Sequence, residues 1–239
     1  MKHNFFGLIP SRKGSKGIRD KNIQIIGDKP MIQFTMDAAL NAECLDSFIL
    51  SSDDDNAINL AKELGVNIPF KRPDNLCLDS SSLIDVLDHA LKWYEINYNM
   101  LPENIILLQP TSPFRTSQDI DEAIEVFSKS PKKRLVSVTE PSQHPGDFLI
   151  RKNDGSLRRL ELDLISDKAS GRHAYPETFF IDGGIYIINT VEFLDSHDLI
   201  GNDPEIIILP KNHAIDIDTL FDLDIARAVY NSKILSIEK

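Results

Sequence analysis

Ile105 to Leu108 are four consecutive aliphatic residues. The run is too short for a helix and too apolar for a strand with one wet face, so it belongs inside a sheet covered on both sides. Comparable short runs recur along the chain, separated by stretches with apolar positions at helical spacing. Strands are expected over Phe5 to Ile9, Phe48 to Leu50, Val66 to Phe70, Leu135 to Val138, Phe179 to Ile188 and Glu205 to Leu209, with Ala214 to Asp218 extended. Helices are expected over Met31 to Leu40, Asn56 to Leu64, Leu83 to Tyr94, Ile120 to Phe127 and Leu220 to Val229. Strand–helix alternation of this kind is the pattern of parallel βαβ units. Local signals agree with it. Pro30 suits a first helical position, Ser52 or Asp53 a cap, Gly65 a terminator, and Thr116 with Asp119 a capping box.

The rhythm breaks between Glu140 and Thr178, a polar stretch holding Pro141, Pro145 and Pro176 and an Asp154-Gly155 pair of the hairpin type. It has too few apolar residues for a core of its own, so it reads as an arm at about 140–178 inserted into a single domain covering 1–239. The two cysteines, Cys44 and Cys77, lack metal-like spacing and read as buried thiols rather than a disulfide. No apolar run is long enough to span a membrane and the first ten residues lack signal-peptide architecture, so a cytoplasmic protein is expected.

Against a formal charge of -11, residues 12–21 concentrate five cations: Arg12, Lys13, Lys16, Arg19 and Lys21. An acidic chain repels nucleic acid as a whole. A local cationic loop that also carries Gly14 and Gly17 suits a compact polyanion, because glycines admit phosphate oxygens close to backbone N–H groups. The alternative is a solvated basic turn. The loop matches neither the Walker A spacing nor the dinucleotide Gly-x-Gly-x-x-Gly turn. It follows the first strand, where open α/β sheets place ligands. Arg12 and Lys21 are the natural triphosphate clamps.

Two further motifs carry chemistry. In Ala214-Ile215-Asp216-Ile217-Asp218-Thr219, apolar and acidic residues alternate. An extended chain would put Asp216 and Asp218 on one face, roughly 6–7 Å apart along the strand. Two hard oxygen donors so placed suit one or two Mg²⁺ ions; the alternative is that Asp218 caps the next helix, and Asp222 has capping-box spacing from Thr219. In Leu107-Leu108-Gln109-Pro110-Thr111-Ser112-Pro113-Phe114-Arg115, a buried strand ends in amide, hydroxyl and guanidinium groups held by prolines. That fits orientation of a hydroxylated ligand, or an ordinary proline-rich turn.

Together these segments resemble the acylneuraminate cytidylyltransferases, the CMP-sialic acid synthetase family. The resemblance rests on Ile9 to Gly17 with Lys21-Asn22, on Leu107 to Arg115, and on Ile215 to Thr219 followed by Asp222-Leu223, with Arg72-Pro73, Asp79-Ser80, Arg172, Pro176 and Gly183 to Tyr186 also in place. It implies a Rossmann-like nucleotidyltransferase three-layer α/β sandwich with a small inserted dimerisation arm, and a homodimer in which the arm reaches the partner's active site. The implied reaction joins CTP and a nonulosonic acid, N-acetylneuraminate or a relative such as legionaminic acid, into the CMP-sugar and pyrophosphate. The implied catalytic groups are Arg12, Lys21, Asp216 and Asp218, the last two holding Mg²⁺. By the same resemblance Ser11, Arg12, Gly14, Ser15, Lys16, Gly17, Lys21, Asn22, Arg72, Asp79, Ser80, Ser81 and Ser82 surround the nucleotide. Gln109, Thr111, Ser112, Arg115, Arg172 and Tyr186 face the sugar.

This sequence departs from the family pattern mainly at the sugar end. His144-Pro145 leads to Gly146-Asp147 where a lysine is common, His173 replaces a glutamine, and Asp182 replaces an asparagine before Gly183. Near the nucleotide, Ser11 stands for an alanine. The alternatives are a nucleotidyltransferase with another base or sugar, and an inactive homologue that binds nucleotide sugars. A dead homologue would have no physical need for both Arg12/Lys21 and Asp216/Asp218.

Overall fold

A computed structural model describes residues 4–14, 17–78, 80–160 and 176–232. Its centre is a six-stranded sheet made of β1 (Phe5–Ser11), β4 (Ser47–Ser52), β5 (Asn104–Leu108), β6 (Arg134–Thr139), β9 (Phe180–Asn189) and β10 (Glu205–Ile208). The spatial order is β10-β6-β9-β5-β1-β4. Two small antiparallel pairs lie outside it, β2 (Ile25–Ile26) with β3 (Lys29–Pro30), and β7 (Leu149–Arg151) with β8 (Leu157–Arg159). Strands β4, β1 and β5 are parallel neighbours, as are β6 and β10, whereas β9 runs antiparallel between β5 and β6.

All five residues of β5 are buried, the state that its unbroken aliphatic run requires. Alternate side chains serve opposite faces. Ile106 and Leu108 pack with α1 (Met31–Asn41), α2 (Asp55–Glu63) and α4 (Ser117–Lys129). Ile105 and Leu107 pack with α3 (Leu83–Tyr98) and Phe193 of α5 (Thr190–Ser196). Helix, sheet and helix therefore form three layers. A third cluster, with Ile18, Met31, Phe114, Ile217 and Leu223, seats α6 (Leu220–Asn231) beside the first loop.

Several local expectations are corrected. Pro30 is the N-cap of α1 and ends β3, so it stands one position before the first helical residue. Asp54 caps α2 by accepting from Asn56 N at 3.0 Å, while Ser52 and Asp53 do other work. Val66 to Phe70 forms no strand; only isolated bridges, Ile49 to Asn67 and Ser52 to Lys71, extend the sheet there. Ala214 to Asp218 lies in no ladder either, and its one backbone tie to the strand-end loop is Ile217 N donating to Thr111 O at 2.9 Å. The Thr116–Asp119 box on α4 is present, and Gly65 follows α2 at a φ of +76°.

The arm leaves the sheet at Thr139. His144 Nδ1 accepts from Gly146 N at 3.0 Å, and Lys152 to Gly155 turns β7 into β8. Asp147, the anion noted above, pairs with Arg159 of the same hairpin at 3.6 Å. His173 and the rest of 161–175 lie outside the described residues.

Candidate active site

A cleft of about 430 Å³ opens at the carboxyl ends of β1 and β5, where the chain leaves the ladder and its backbone groups become available to a ligand. Arg12, Gly17, Lys21 and Asn22 line it from the first loop, and Gln109, Pro110 and Thr111 from the end of β5. Arg72, Leu76, Leu78, Ser81, Ser82, Leu83 and Val86 come from the segment leading into α3. Asp218, some two hundred residues from the first loop, completes the lining.

The first loop is held by its own side chains and by β4. Asn22 Nδ2 donates to Ser11 Oγ at 2.9 Å and to Arg12 O at 3.5 Å, so Ser11, which is buried, braces the loop from behind. Asp53 accepts from Lys13 N at 2.8 Å. Gly14 has a φ of +76°, a region that side chains resist, with open space around it. At Gly17 the constraint is space: a Cβ would lie 2.5 Å from Asp218 O. The loop thus packs backbone to backbone against the acidic segment. Lys21 fixes the contact, its Nζ donating to Ile217 O and to Asp218 Oδ1, each at 2.9 Å. The lysine is 12% exposed and the carboxylate 71%, so the pair faces water from Asp218's side only.

Burial, together with the charge of Asp218, raises the pKa of Asp216, against a hydrogen bond from Thr111. Asp216 is partly buried and does not line the cleft directly. The helix that follows is capped by Thr219 and Asp222: Thr219 Oγ1 accepts from Asp222 N, and Asp222 Oδ2 accepts from Thr219 N at 2.7 Å. The capping role considered for Asp218 therefore belongs to its neighbours, and the carboxylate of Asp218 stays free of that duty.

Arg72 is 4% exposed. Its Nε donates to Ser51 Oγ at 3.0 Å and its Nη2 to Ser51 O, and burial lowers its pKa. Ser81 Oγ accepts from Leu78 N and donates to Asn75 O, closing the turn before α3. Ser82 is the N-cap of α3 in a reciprocal box with Asp85. Ser80 is exposed outside the lining, and Ser15, Lys16, Asp79 and Arg172 fall outside the described residues.

Two residues expected at the sugar are placed behind the cleft instead. Arg115 is fully buried, with Nη1 donating to Gly184 O at 2.6 Å and to Gln109 O at 3.3 Å. Burial brings its pKa down to about 10 despite nearby Asp119 and Asp182. Ser112 Oγ, also buried, donates to Asp182 O at 3.3 Å. Both side chains tie the end of β5 to a wide irregularity in β9, where Ser137 alone stands opposite the stretch between Ile181 and Tyr186. Ser137 fills that gap, donating to Asp182 Oδ1 and accepting from Ile185 N at 2.8 Å. Gly183 sits at the bend with a φ of +77°, near Gln109. Tyr186 is partly buried next to this bend; burial first, then Asp182 and Asp216, raise its pKa.

The sequence reading missed the aliphatic side of the cleft, Leu76, Leu78, Leu83 and Val86, and the bracing by Asp53 and Ser51. The helical spacing of Leu83 and Val86 reads as core, and a strand-end serine carries no sequence signal for an arginine twenty-one positions away.

A doubly covered, mainly parallel sheet with its cleft at the strand ends defines a Rossmann-like α/β protein of the nucleotide-binding type. The chain belongs to the cytidylyltransferase family, whose sequence profile matches residues 6–154. An N-acylneuraminate cytidylyltransferase from Escherichia coli is 31% identical over 234 residues, 98% of this chain and 54% of that protein. The chain thus spans about half the length of that relative. A CMP-N,N'-diacetyllegionaminic acid synthase from Legionella pneumophila is 30% identical over 217 residues, 90% of this chain and 91% of that one. In fold, the chain is similar to a CMP:2-keto-3-deoxy-manno-octonic acid synthetase solved with CTP, with a TM-score of 0.67 and 16% identity over 97% of this chain and 100% of that one.

Proposed function

We propose that the chain transfers a cytidylyl group from CTP to a nonulosonic acid, a nine-carbon 2-keto sugar acid, and releases pyrophosphate. The observation that carries this reading is the meeting of Arg12, Lys21 and Asp218 in one cleft beside Arg72 and an aliphatic wall. Cations and aliphatic side chains suit the two halves of a nucleoside triphosphate. The named activities of the relatives supply the base and the sugar class.

In this reaction the anomeric hydroxyl oxygen bonds to the α-phosphorus in line and loses its proton to water as the bond to the bridging oxygen breaks. Negative charge gathers on the departing pyrophosphate. Arg12 and Lys21 answer it from fixed positions, and Gln109 and Thr111 orient the sugar hydroxyls. Asp218, which Lys21 holds at 2.9 Å, and Asp216 would be the residues that hold a metal.

Mg²⁺ fits the donors present. Burial and a like-charged neighbour disfavour the Asp216 anion, and a divalent cation beside it would offset both. Among the described residues no group of three or more His, Cys, Asp or Glu could hold a metal. Two carboxylates with the substrate's phosphates match the way Mg²⁺ is usually held. When bound, the ion supplies neutralisation of phosphate charge.

The hairpin of the arm exposes Phe148, Leu149, Ile150 and Leu157, an apolar surface that we assign to contact with a second copy of the chain. Among the described residues no helix is long and apolar enough to cross a membrane.

Pyrophosphate release, measured with CTP, Mg²⁺ and a panel of nonulosonic acids that includes N-acetylneuraminate and N,N'-diacetyllegionaminate, tests the reading. Turnover with at least one acid, dependent on Mg²⁺, is expected. Folded protein that turns over none of them would rule the activity out, and the preferred acid identifies the sugar.

A further inference from the structure

The segment that carries Asp216 and Asp218 is fixed by no sheet ladder, so its position depends on a few discrete anchors. Downstream anchors are the Ile217 side chain, fully buried, its N–H on Thr111 O, and Lys21 on Ile217 O. Upstream, the chain leaves β10 through a turn in which His213 N and Ala214 N both donate to Pro210 O, at 2.9 and 3.1 Å. From that turn the His213 ring reaches across to Asp119, its Nδ1 lying 3.0 Å from Oδ2 and 3.3 Å from Oδ1. The two side chains are 14% and 10% exposed.

Asp119 is itself immobilised. Its Oδ2 accepts from Thr116 N at 2.7 Å and from Thr116 Oγ1 at 2.8 Å, as the reciprocal cap of α4. The ring is therefore tied to a rigid helix end inside the body of the protein, while the acidic residues lie only three and five positions further on.

We infer that His213 is a positioning residue: through Asp119 it sets where the Asp216–Asp218 segment lies, and so how well those carboxylates receive a divalent cation. The inference rests on the metal reading proposed above. It assigns the imidazole no contact with substrate or metal. Its chemistry is a hydrogen bond between Nδ1 and a capped carboxylate.

The test measures Mn²⁺ binding by electron paramagnetic resonance in the presence of CTP, on the intact chain, with CTP binding in EDTA as the control. His213→Asn keeps an N–H donor at the Nδ1 position, whereas His213→Gln moves it away and His213→Leu removes it. Mn²⁺ affinity is expected to fall roughly tenfold in the Gln and Leu variants and to stay within about twofold in the Asn variant, as when the outer support of a metal ligand is lost or kept. CTP affinity without metal should not change. Wild-type Mn²⁺ affinity in His213→Gln, or an equal loss of metal-free CTP binding, overturns the inference. If the wild-type protein with CTP bound takes up no Mn²⁺, the metal reading itself fails, and the inference with it.

Discussion

Asp218 and Thr219 are adjacent, yet their tasks separate cleanly. The carboxylate of Asp218 is 71% exposed and paired with Lys21, whereas Thr219 and Asp222 satisfy the helix end. Asp218→Ala should therefore cut Mg²⁺-dependent pyrophosphate release by about a hundredfold or more, as loss of a group stabilising transition-state charge does, with a nearly unchanged melting temperature. Thr219→Ala should do the reverse, costing about 1 kcal/mol of stability in thermal melts and leaving Mn²⁺ affinity intact. Asp182 makes a different prediction. Its Oδ1 accepts from Ser137 and Gly184, its Oδ2 is buried without a partner, and burial raises its pKa even with Arg115 nearby. Because the folded pKa lies above the unfolded one, its favourable contribution is present below the ordinary aspartate range near 4 and is lost as pH rises through the folded value. Asp182→Asn should thus melt higher than wild type at pH 7, with the gap closing as pH falls into the acid range. Residue types and charges were readable at this scale, but partners were not. The sequence marks Arg115 as a ligand group because it belongs to the polar, proline-held run that ends the buried strand; only the fold turns it inward, onto Gln109 O and Gly184 O.

Between elements, the decisive contact is backbone on backbone, where Gly17 meets Asp218 O. A methyl group there must push the first loop away from the acidic segment and lengthen the Lys21 bridge. Gly17→Ala should weaken CTP binding in calorimetry by about tenfold, a loss of roughly 1.4 kcal/mol, while circular dichroism keeps its helix signal. Wild-type affinity would show that the approach is not needed. The long periodic helices and the buried β5 were legible because each carries its own pattern over a whole segment. Val66 to Phe70 misled for the opposite reason. It clusters like a strand, but a strand is completed by a neighbour, and this segment finds an isolated bridge, Asn67 to Ile49, instead of a ladder. The Asp182 to Gly184 bend went unseen in Phe179 to Ile188, since its cause, Ser137 filling the gap from the next strand, is forty-five positions away.

For the whole molecule, the hairpin is the part whose surface remains unexplained within one copy. Phe148, at 48% exposure, and Leu157, at 56%, stand on an arm without a core of its own. The double variant Phe148→Glu with Leu157→Glu should shift the protein from dimer to monomer in sedimentation velocity, because burying two carboxylates in an apolar contact is costly. A wild-type protein that sediments as a monomer would refute the contact outright. Because β9 runs against its neighbours, Thr139 faces Phe180 and Leu108 faces Ile185, so the excursion leaves and rejoins the sheet at the same end of its strands. The arm is in effect a cassette whose two splice points, Thr139 and Phe180, pair on neighbouring strands. Its length and composition can drift, or be exchanged with that of a relative, while the strand registers beneath stay put. The arm can then vary as a replaceable part on a sheet that stays fixed.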